Sequence, residues 1–498
     1  MSRENTLGQR RTGILLPVTA LPDMAQTGVF DDACRFIDWL ADAGVGIWQI
    51  LPMGPPHNDG SPYLALSSHA GNPDYIGLSW LADNGLIAAP VDTKCSNNSA
   101  RCTAIDQALQ TLTAPNPSGW YPTYAQFLRD NAYWLDEFSL FSALREEHDF
   151  NSWLNWPSPL RDRVPEALDA ARTRLAQRIR HIQCQQFLFF QQWQEIHRYA
   201  QERNIIIFGD MPLFVAFDSA DVWANRRYFQ LHDDGSCRLV AGVPPDYFSS
   251  TGQRWGNPHY NWSALEAEGF QWWIERIKAQ LTLYDWVRID HFRGLQAVWE
   301  IDAEATTASQ GRWRETPGRK LLSTLHDTLG ELPLIAEDLG LITPEVTALK
   351  EAFHLPGMAV LQFAFDSDEA NPYLPHNLSE NTVIYTGTHD NDTTLSWFQH
   401  QPPSHQQHIC QYLGCHPKDM PEALVDAALA SIATWAIIPL QDILKLGTGN
   451  RTNTPGTTDG NWSWHFHWSQ LPAQTAQKLN EKNRLYARKV DPHQLPDR

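Results

Sequence analysis

The sequence has no pair of cysteines at C-x-x-C spacing, and its seven cysteines, an odd number, are scattered from Cys34 to Cys415. That pattern excludes a complete disulfide framework and a zinc ribbon, and reduced thiols are the simplest account. No run approaches the roughly 18 apolar residues of a membrane span, and the opening MSRENTLGQRRTG lacks the apolar core of a secretion signal. A cytoplasmic chain is therefore expected, in which triplets such as Asn97-Asn98-Ser99 carry no glycan. Positive charge is also scarce: 38 Lys and Arg stand against 57 Asp and Glu, a net −19. Neither a nucleic acid nor an anionic membrane is an expected partner, since both need basic patches. Gly447-Thr448-Gly449-Asn450 has no Walker lysine, so a phosphate loop is not read there. Internal repeats and low-complexity tracts are missing too.

Aromatic residues are plentiful, with 21 Trp, 14 Tyr and 21 Phe. Two readings fit: a Trp-rich core, or a surface for sugars, whose flat C–H faces suit aromatic rings. With 42% hydrophobic residues the chain can bury a large core. Its 498 residues exceed the about 250 of a plain α/β barrel, so insertions or further domains are required.

Short apolar runs recur at Gly13–Leu21, Gly46–Met53, Ile205–Leu213, Trp286–Phe292, Pro333–Leu339, Ala359–Phe365, Thr382–Asp390 and Trp435–Leu444. Near-continuous apolar runs suit strands buried on both faces. Helical patterns lie between many of them. Asp31–Gly44 carries an apolar stripe ending at a glycine. Ser263–Leu281 opens on a capping box of Ser263 and Glu266, and Thr343-Pro344-Glu345 opens a third helix with proline at its first position. Eight alternating units predict a single (β/α)8 TIM barrel spanning 1–498, with its chemistry at the C-terminal strand ends. Two insertions are expected: a mainly helical subdomain at roughly 78–200, and a lid of short strands and loops at 218–262. The Ser/Asn/Thr-rich stretch Thr93–Ser118 reads as loop.

Three strand ends hold carboxylates: Val-Arg-Ile-Asp-His-Phe-Arg-Gly at 287–294, Leu-Ile-Ala-Glu-Asp-Leu-Gly at 334–340, and Tyr-Thr-Gly-Thr-His-Asp-Asn-Asp at 385–392. A buried carboxylate is costly unless paired or useful. Three of them on one barrel would converge on its axis, and glycoside cleavage needs two, one to attack and one to protonate the leaving oxygen. At the second strand end Glu337 and its neighbour Asp338 face opposite ways, so only one can reach that axis. His389 has no second histidine at ligand spacing, so no metal is read there.

These motifs, with Gly13–Pro22, Trp48–Pro52, Ser61-Pro62-Tyr63, Ala70–Pro73, Gly209–Val215, Gly242–Phe248 and Gln253–Pro258, resemble those of the 4-α-glucanotransferases called amylomaltases, relatives of the α-amylases. The resemblance runs over nearly the whole chain. It implies Asp290 as the nucleophile, Glu337 as the general acid/base and Asp390 as the carboxylate that holds ring hydroxyls. It further implies Tyr63 as a platform under the cleaved sugar, His291 and His389 as hydroxyl donors, and Asp210 and Arg288 in the same pocket. Ser61 and Asn257 are further binding candidates. The segment Pro244–Pro258, with Tyr247, Phe248 and Trp255, matches a cleft-covering lid. Arg288, two residues before Asp290 on the same face of its strand, is expected to keep that carboxylate ionised.

The implied reaction is retaining double displacement on α-1,4-glucans and maltooligosaccharides, with glucose or another glucan as acceptor and no cofactor. Its enzyme rival is a retaining α-1,4-glucan hydrolase of amylase type. One departure stands out. Where many relatives carry a Gly- and Tyr-bearing turn, this chain has Pro55–Gly60, with Asn58 at about the Tyr position.

Overall fold

The computed structural model of the protein describes residues 7–22, 28–88, 98–114, 119–245 and 250–490. Eight parallel strands form one sheet: β1 Arg11–Leu15, β2 Ile47–Gln49, β3 Ile206–Pro212, β4 Trp286–Asp290, β5 Leu334–Ala336, β6 Gly357–Val360, β7 Thr382–Tyr385 and β8 Trp435–Pro439. Their order is β6-β7-β8-β1-β2-β3-β4-β5, so sequential strands are neighbours all the way round and β5 comes back beside β6. The expected barrel is therefore formed. At the closing seam Ala336 N–H donates to the Pro356 carbonyl at 2.9 Å, and Met358 N–H donates to Asp338 Oδ1 at 2.7 Å.

The two-residue period of the strands sorts their side chains. One buried cluster takes Leu15, Ile47, Phe208, Ile335, Met358, Val360, Val383, Tyr385, Trp435 and Ile437, with Trp286 packed against it. Every strand contributes, which only the barrel interior allows. The alternate residues, among them Ile14, Trp48, Ile207, Val287, Ile289, Ala336, Ala359, Ile384 and Ala436, join the larger cluster under the helices. Trp435 meets Phe208 and Trp286 edge-on, at 5.8 and 5.2 Å between centroids, and together they fill the barrel. Gly13 is required by this packing: a Cβ there would lie 2.3 Å from Ile437 Cδ1.

Several strands stop short of the apolar runs that announce them. β7 ends at Tyr385, which leaves His389 and Asp390 in the following loop, and β8 turns into a short helix, Leu440–Ile443. The helices Ala33–Asp42 and Pro344–Ala352 form where expected, the latter with proline in its first turn. Ser263–Leu281 is not one helix but two, Trp262–Ala267 and Gln271–Leu283. The break falls at Gly269 and Phe270, both at positive φ (64° and 56°), where Phe270 turns into the core at 3% exposure. Burial of that ring outweighs helix continuity. The cap residue is Asn261, so the Ser263 capping box does not form.

Between β2 and β3 the chain builds a helical layer that includes Trp120–Asp130, Ala132–Glu147, Pro165–Arg174 and Ala176–Gln201. The last of these serves two layers. Phe187 packs on Tyr124 and Phe127 of the helical layer, while Trp193 stacks with Phe30 and donates to the Leu283 carbonyl beside the barrel. Part of the stretch read as loop is a helix, Asn98–Thr113. Its composition hid a buried stripe of Ala104, Ile105, Ala108 and Leu112, and packing against neighbouring helices overrides the weak propensity of its polar residues.

A second sheet, four-stranded and antiparallel, has the order Gln253–Pro258, Leu239–Val243, Ala297–Asp302, Gly311–Glu315. Half of it comes from the 218–262 region and half from strands after β4 that the sequence reading did not identify.

Candidate active site

The period-two rule that separates core from shell also aims the polar side chains. Asp210 shares the inward parity of Phe208, Arg288 and Asp290 that of Trp286, and Glu337 that of Ile335. Asp210 and Arg288 are also register partners on β3 and β4, so they lie side by side. Arg288 Nε donates to Asp210 Oδ1 at 2.9 Å and Nη2 to Asp210 Oδ2 at 2.7 Å. Nη2 reaches Asp290 Oδ1 at 2.9 Å as well. Tyr63 O–H donates to Asp210 Oδ2 at 2.6 Å and accepts from Arg288 Nη2 at 3.1 Å. Asp210 is fully buried and Arg288 is 4% exposed, whereas the Asp290 side chain keeps 33% of its surface. A rigid buried base thus presents one partly open carboxylate.

Glu337 sits beside it. His291, directly after Asp290, takes a left-handed turn (φ 56°) that aims its backbone N–H at Glu337 Oε2, 2.9 Å away. Leu339 N–H donates to the other oxygen at 3.2 Å. Asp338 faces away from the axis, ion-paired with Lys350 Nζ and bonded to Met358 N–H at the barrel seam. Of the two adjacent acids, the one on the axis is Glu337.

Burial raises both axial carboxylates. Burial lifts Glu337 to about 7, with Asp338 adding to the rise and Arg288 and the two N–H donors opposing it. Burial also raises Asp290 well above the ordinary carboxylate range; Arg288 opposes this, while Asp210, Glu337 and Asp390 add to it. The expectation of a depressed Asp290 is thereby corrected: one guanidinium shared with Asp210 does not offset burial among three further acids. The direct Arg288 contact at 2.9 Å favours charge on Asp290 within this pair.

His291 is held neutral, its pKa driven by burial down to about 4. Among the described residues its Nε2 is buried without a hydrogen-bond partner, and Trp255 meets the ring edge-on at 4.8 Å. His389 is likewise lowered by burial, with Asp390 opposing. Its ring stacks on Tyr63 at 5.2 Å and 16°, and its Nε2 lies 3.4 Å from Asp390 Oδ1. The Asp390 side chain is 48% exposed and accepts from Asn453 Nδ2 at 2.6 Å.

Of the other candidates, Asn257 is buried and its amide donates to the Val215 carbonyl at 2.9 Å, so that N–H holds the lid strand to the barrel. Ser61 N–H is bonded to Asp59 Oδ1 at 3.1 Å beside the platform. Tyr247 and Phe248 lie outside the described residues.

Three neighbours escaped the sequence reading. Asn453 binds Asp390, Arg451 Nη2 donates to the Asp390 carbonyl at 2.7 Å, and Trp462 packs on Tyr63 and His389 at 5.9 and 6.0 Å. Arg451 and Asn453 belong to the Asn450–Gly456 run, which resembles the family's closing barrel loop; Trp462 lies beyond it, and all three gain their partners only where the loops after β7 and β8 meet.

The arrangement offers acid–base chemistry: a partly exposed carboxylate, a second raised to about 7 beside it, and a third, half-exposed, next to His389. Comparison with known proteins gives the family. The family model for 4-alpha-glucanotransferase matches residues 16–471. The 4-alpha-glucanotransferase of Synechocystis sp. is 45% identical over 500 residues, covering 97% of this chain and 99% of its own. That of Thermus thermophilus is 42% identical over 487 residues, covering 94% and 97%. The solved amylomaltase from Streptococcus agalactiae, in complex with acarbose, has a TM-score of 0.91 at 32% identity, covering 97% of this chain and all of that one. Similarity of this depth over nearly the whole chain is decisive: the chain belongs to the 4-alpha-glucanotransferase family of enzymes.

Proposed function

We propose that this enzyme moves a segment of an α-1,4-glucan to the 4-hydroxyl of glucose or another glucan by retaining double displacement. The observation that carries the reading is the division of labour on the barrel axis. Asp290 is held by Arg288, while Glu337, beside the next residue's N–H, titrates at about 7. In the first step Asp290 attacks the anomeric carbon as the glycosidic C–O bond breaks, and the Glu337 proton passes to the leaving oxygen. In the second, Glu337 takes the proton of an acceptor 4-hydroxyl, whose oxygen attacks the same carbon and displaces Asp290. Two inversions leave the α configuration intact.

Tyr63 and His389 form a flat wall under the sugar, and Asp390 with neutral His291 and His389 supplies partners for its hydroxyls. The solved S. agalactiae amylomaltase, a complex with acarbose, supports a glucan-like ligand for this chain. Transfer requires that water lose to a sugar hydroxyl at the covalent stage, which calls for exclusion of water and binding of the acceptor. Trp255, edge-on to His291, supplies part of that cover.

Incubated with maltotriose, the protein should yield glucose and a ladder of longer maltooligosaccharides. Only glucose and maltose, with reducing ends rising, would make it a hydrolase.

The pH dependence follows from Glu337. The first step needs it protonated, so kcat/KM for maltotriose should fall above about pH 7, approaching tenfold per unit. The acid limb, set by ionisation of the pair, should lie above the ordinary aspartate range because burial raises Asp290. A profile flat to pH 9 would refute Glu337 as the acid.

A further inference from the structure

We propose that the outer edge of the small antiparallel sheet is an acceptor-side glucan platform, in which Trp313 takes sugars of the acceptor chain beyond the one that is glycosylated. This rests on Glu337 acting as the acid.

The loop that carries the acid borders the leaving group, and the acceptor enters by the same side. Past Glu337 that loop reaches Leu341, which is 65% exposed and whose carbonyl accepts from Arg293 Nη1. The Arg293 guanidinium in turn stacks over Trp313 at 3.9 Å from the ring centroid. Trp313 is 38% exposed, and Trp299, its direct partner across the strand pair, meets it edge-on at 5.3 Å.

Register extends this contact into a row. Gly242 pairs with Trp299 on one side and Arg254 on the other, so Arg254, Gly242, Trp299 and Trp313 cross the sheet in line. Three strand spacings make about 14 Å, long enough for several glucose residues. Trp255, next to Arg254, alternates to the opposite side and meets His291. The sheet therefore meets the catalytic centre through Trp255 on one face, while on the other Trp299, whose indole N–H donates to the Ala308 carbonyl, and Arg254, which donates to the Ala303 carbonyl, back the exposed Trp313. That chemistry fits a glucan, with C–H faces on the indole and N–H donors to the hydroxyls.

Trp313 is not needed to hold its hairpin. On the opposite face Glu300, 2% exposed, is paired with Arg312 at 2.9 Å and Arg314 at 3.6 Å.

The test uses maltotriose as donor with two acceptors, labelled glucose and reducing-end-labelled maltotetraose. Trp313→Ala should lower kcat/KM for maltotetraose by about two- to tenfold, the worth of one aromatic contact, and leave transfer to glucose unchanged. Trp313→Phe should restore most of the loss. Trp313→Thr, a strand-favouring residue on an exposed edge, is the second variant should the alanine protein unfold. An equal fall with both acceptors, or none with maltotetraose, overturns the platform. A wild-type enzyme that only hydrolyses maltotriose overturns the transferase reading instead.

Discussion

Asp290→Asn should abolish transfer, lowering kcat by at least about 10⁴-fold while glucan binding persists. The amide is nearly the same size as the carboxylate, so the packing of β4 is kept. What is lost is the attacking oxygen and the charge that faces the anomeric carbon. Arg288 keeps its two bonds to Asp210, so the buried base is not undone. Glu337→Gln makes the complementary prediction. With an α-maltosyl fluoride donor, whose leaving group needs no acid, the first step should proceed and the second stall for want of a base. Mass spectrometry of the quenched protein should then find one maltosyl group on the peptide holding Asp290. A fully active Asp290→Asn enzyme, or an adduct on another carboxylate, would sink the double-displacement assignment.

The second large effect belongs to Arg288. Its guanidinium sits among Asp210, Asp290 and Tyr63 at 4% exposure, and Asp210 has no exposure at all. Arg288→Met leaves Asp210 as a buried charge without its cation. Breaking such a pair costs about 3–5 kcal/mol of stability, which denaturant unfolding would read. Asp290 would lose the guanidinium that favours its ionised form, so kcat should fall by about 10²–10³-fold, the scale set by loss of one preorganised donor. Arg288→Lys keeps the charge but not the two-pronged geometry, and should recover part of each loss. Adding Asp210→Asn to Arg288→Met separates the effects: stability should return in part, because no unpaired charge is left, while activity should not. Activity that recovers together with stability would reduce Arg288 to a structural role.

Much of this candidate site is legible in the sequence, because strands have a period of two. That period sets Arg288 and Asp290 on one face of β4. The choice of Glu337 over Asp338 rested mainly on family resemblance, and the seam contacts of Asp338 with Lys350 and Met358 give it a physical cause. The eight strands and their order were legible for the same reason: each is a local apolar run. Local patterns failed where packing outranked them. Asn98–Thr113 is helical because four spaced apolar residues found neighbours, and Phe270 breaks a helix because its ring is worth more in the core.

Contacts between distant segments were invisible by their nature. Asp390 and Asn453 lie 63 residues apart, and nothing in either motif names the other. The small sheet joins strands from either side of β4, so Trp313 had no meaning until register placed it beside Trp299 and Arg293. The protonation of the carboxylates was decided last of all. The sequence by itself determined the fold, the family and which acids line the axis, since each is written in short-range periodicity and motif. Only the tertiary structure decided that the pKa values of Asp290 and Glu337 rise, because a pKa depends on the burial and charges of the assembled site.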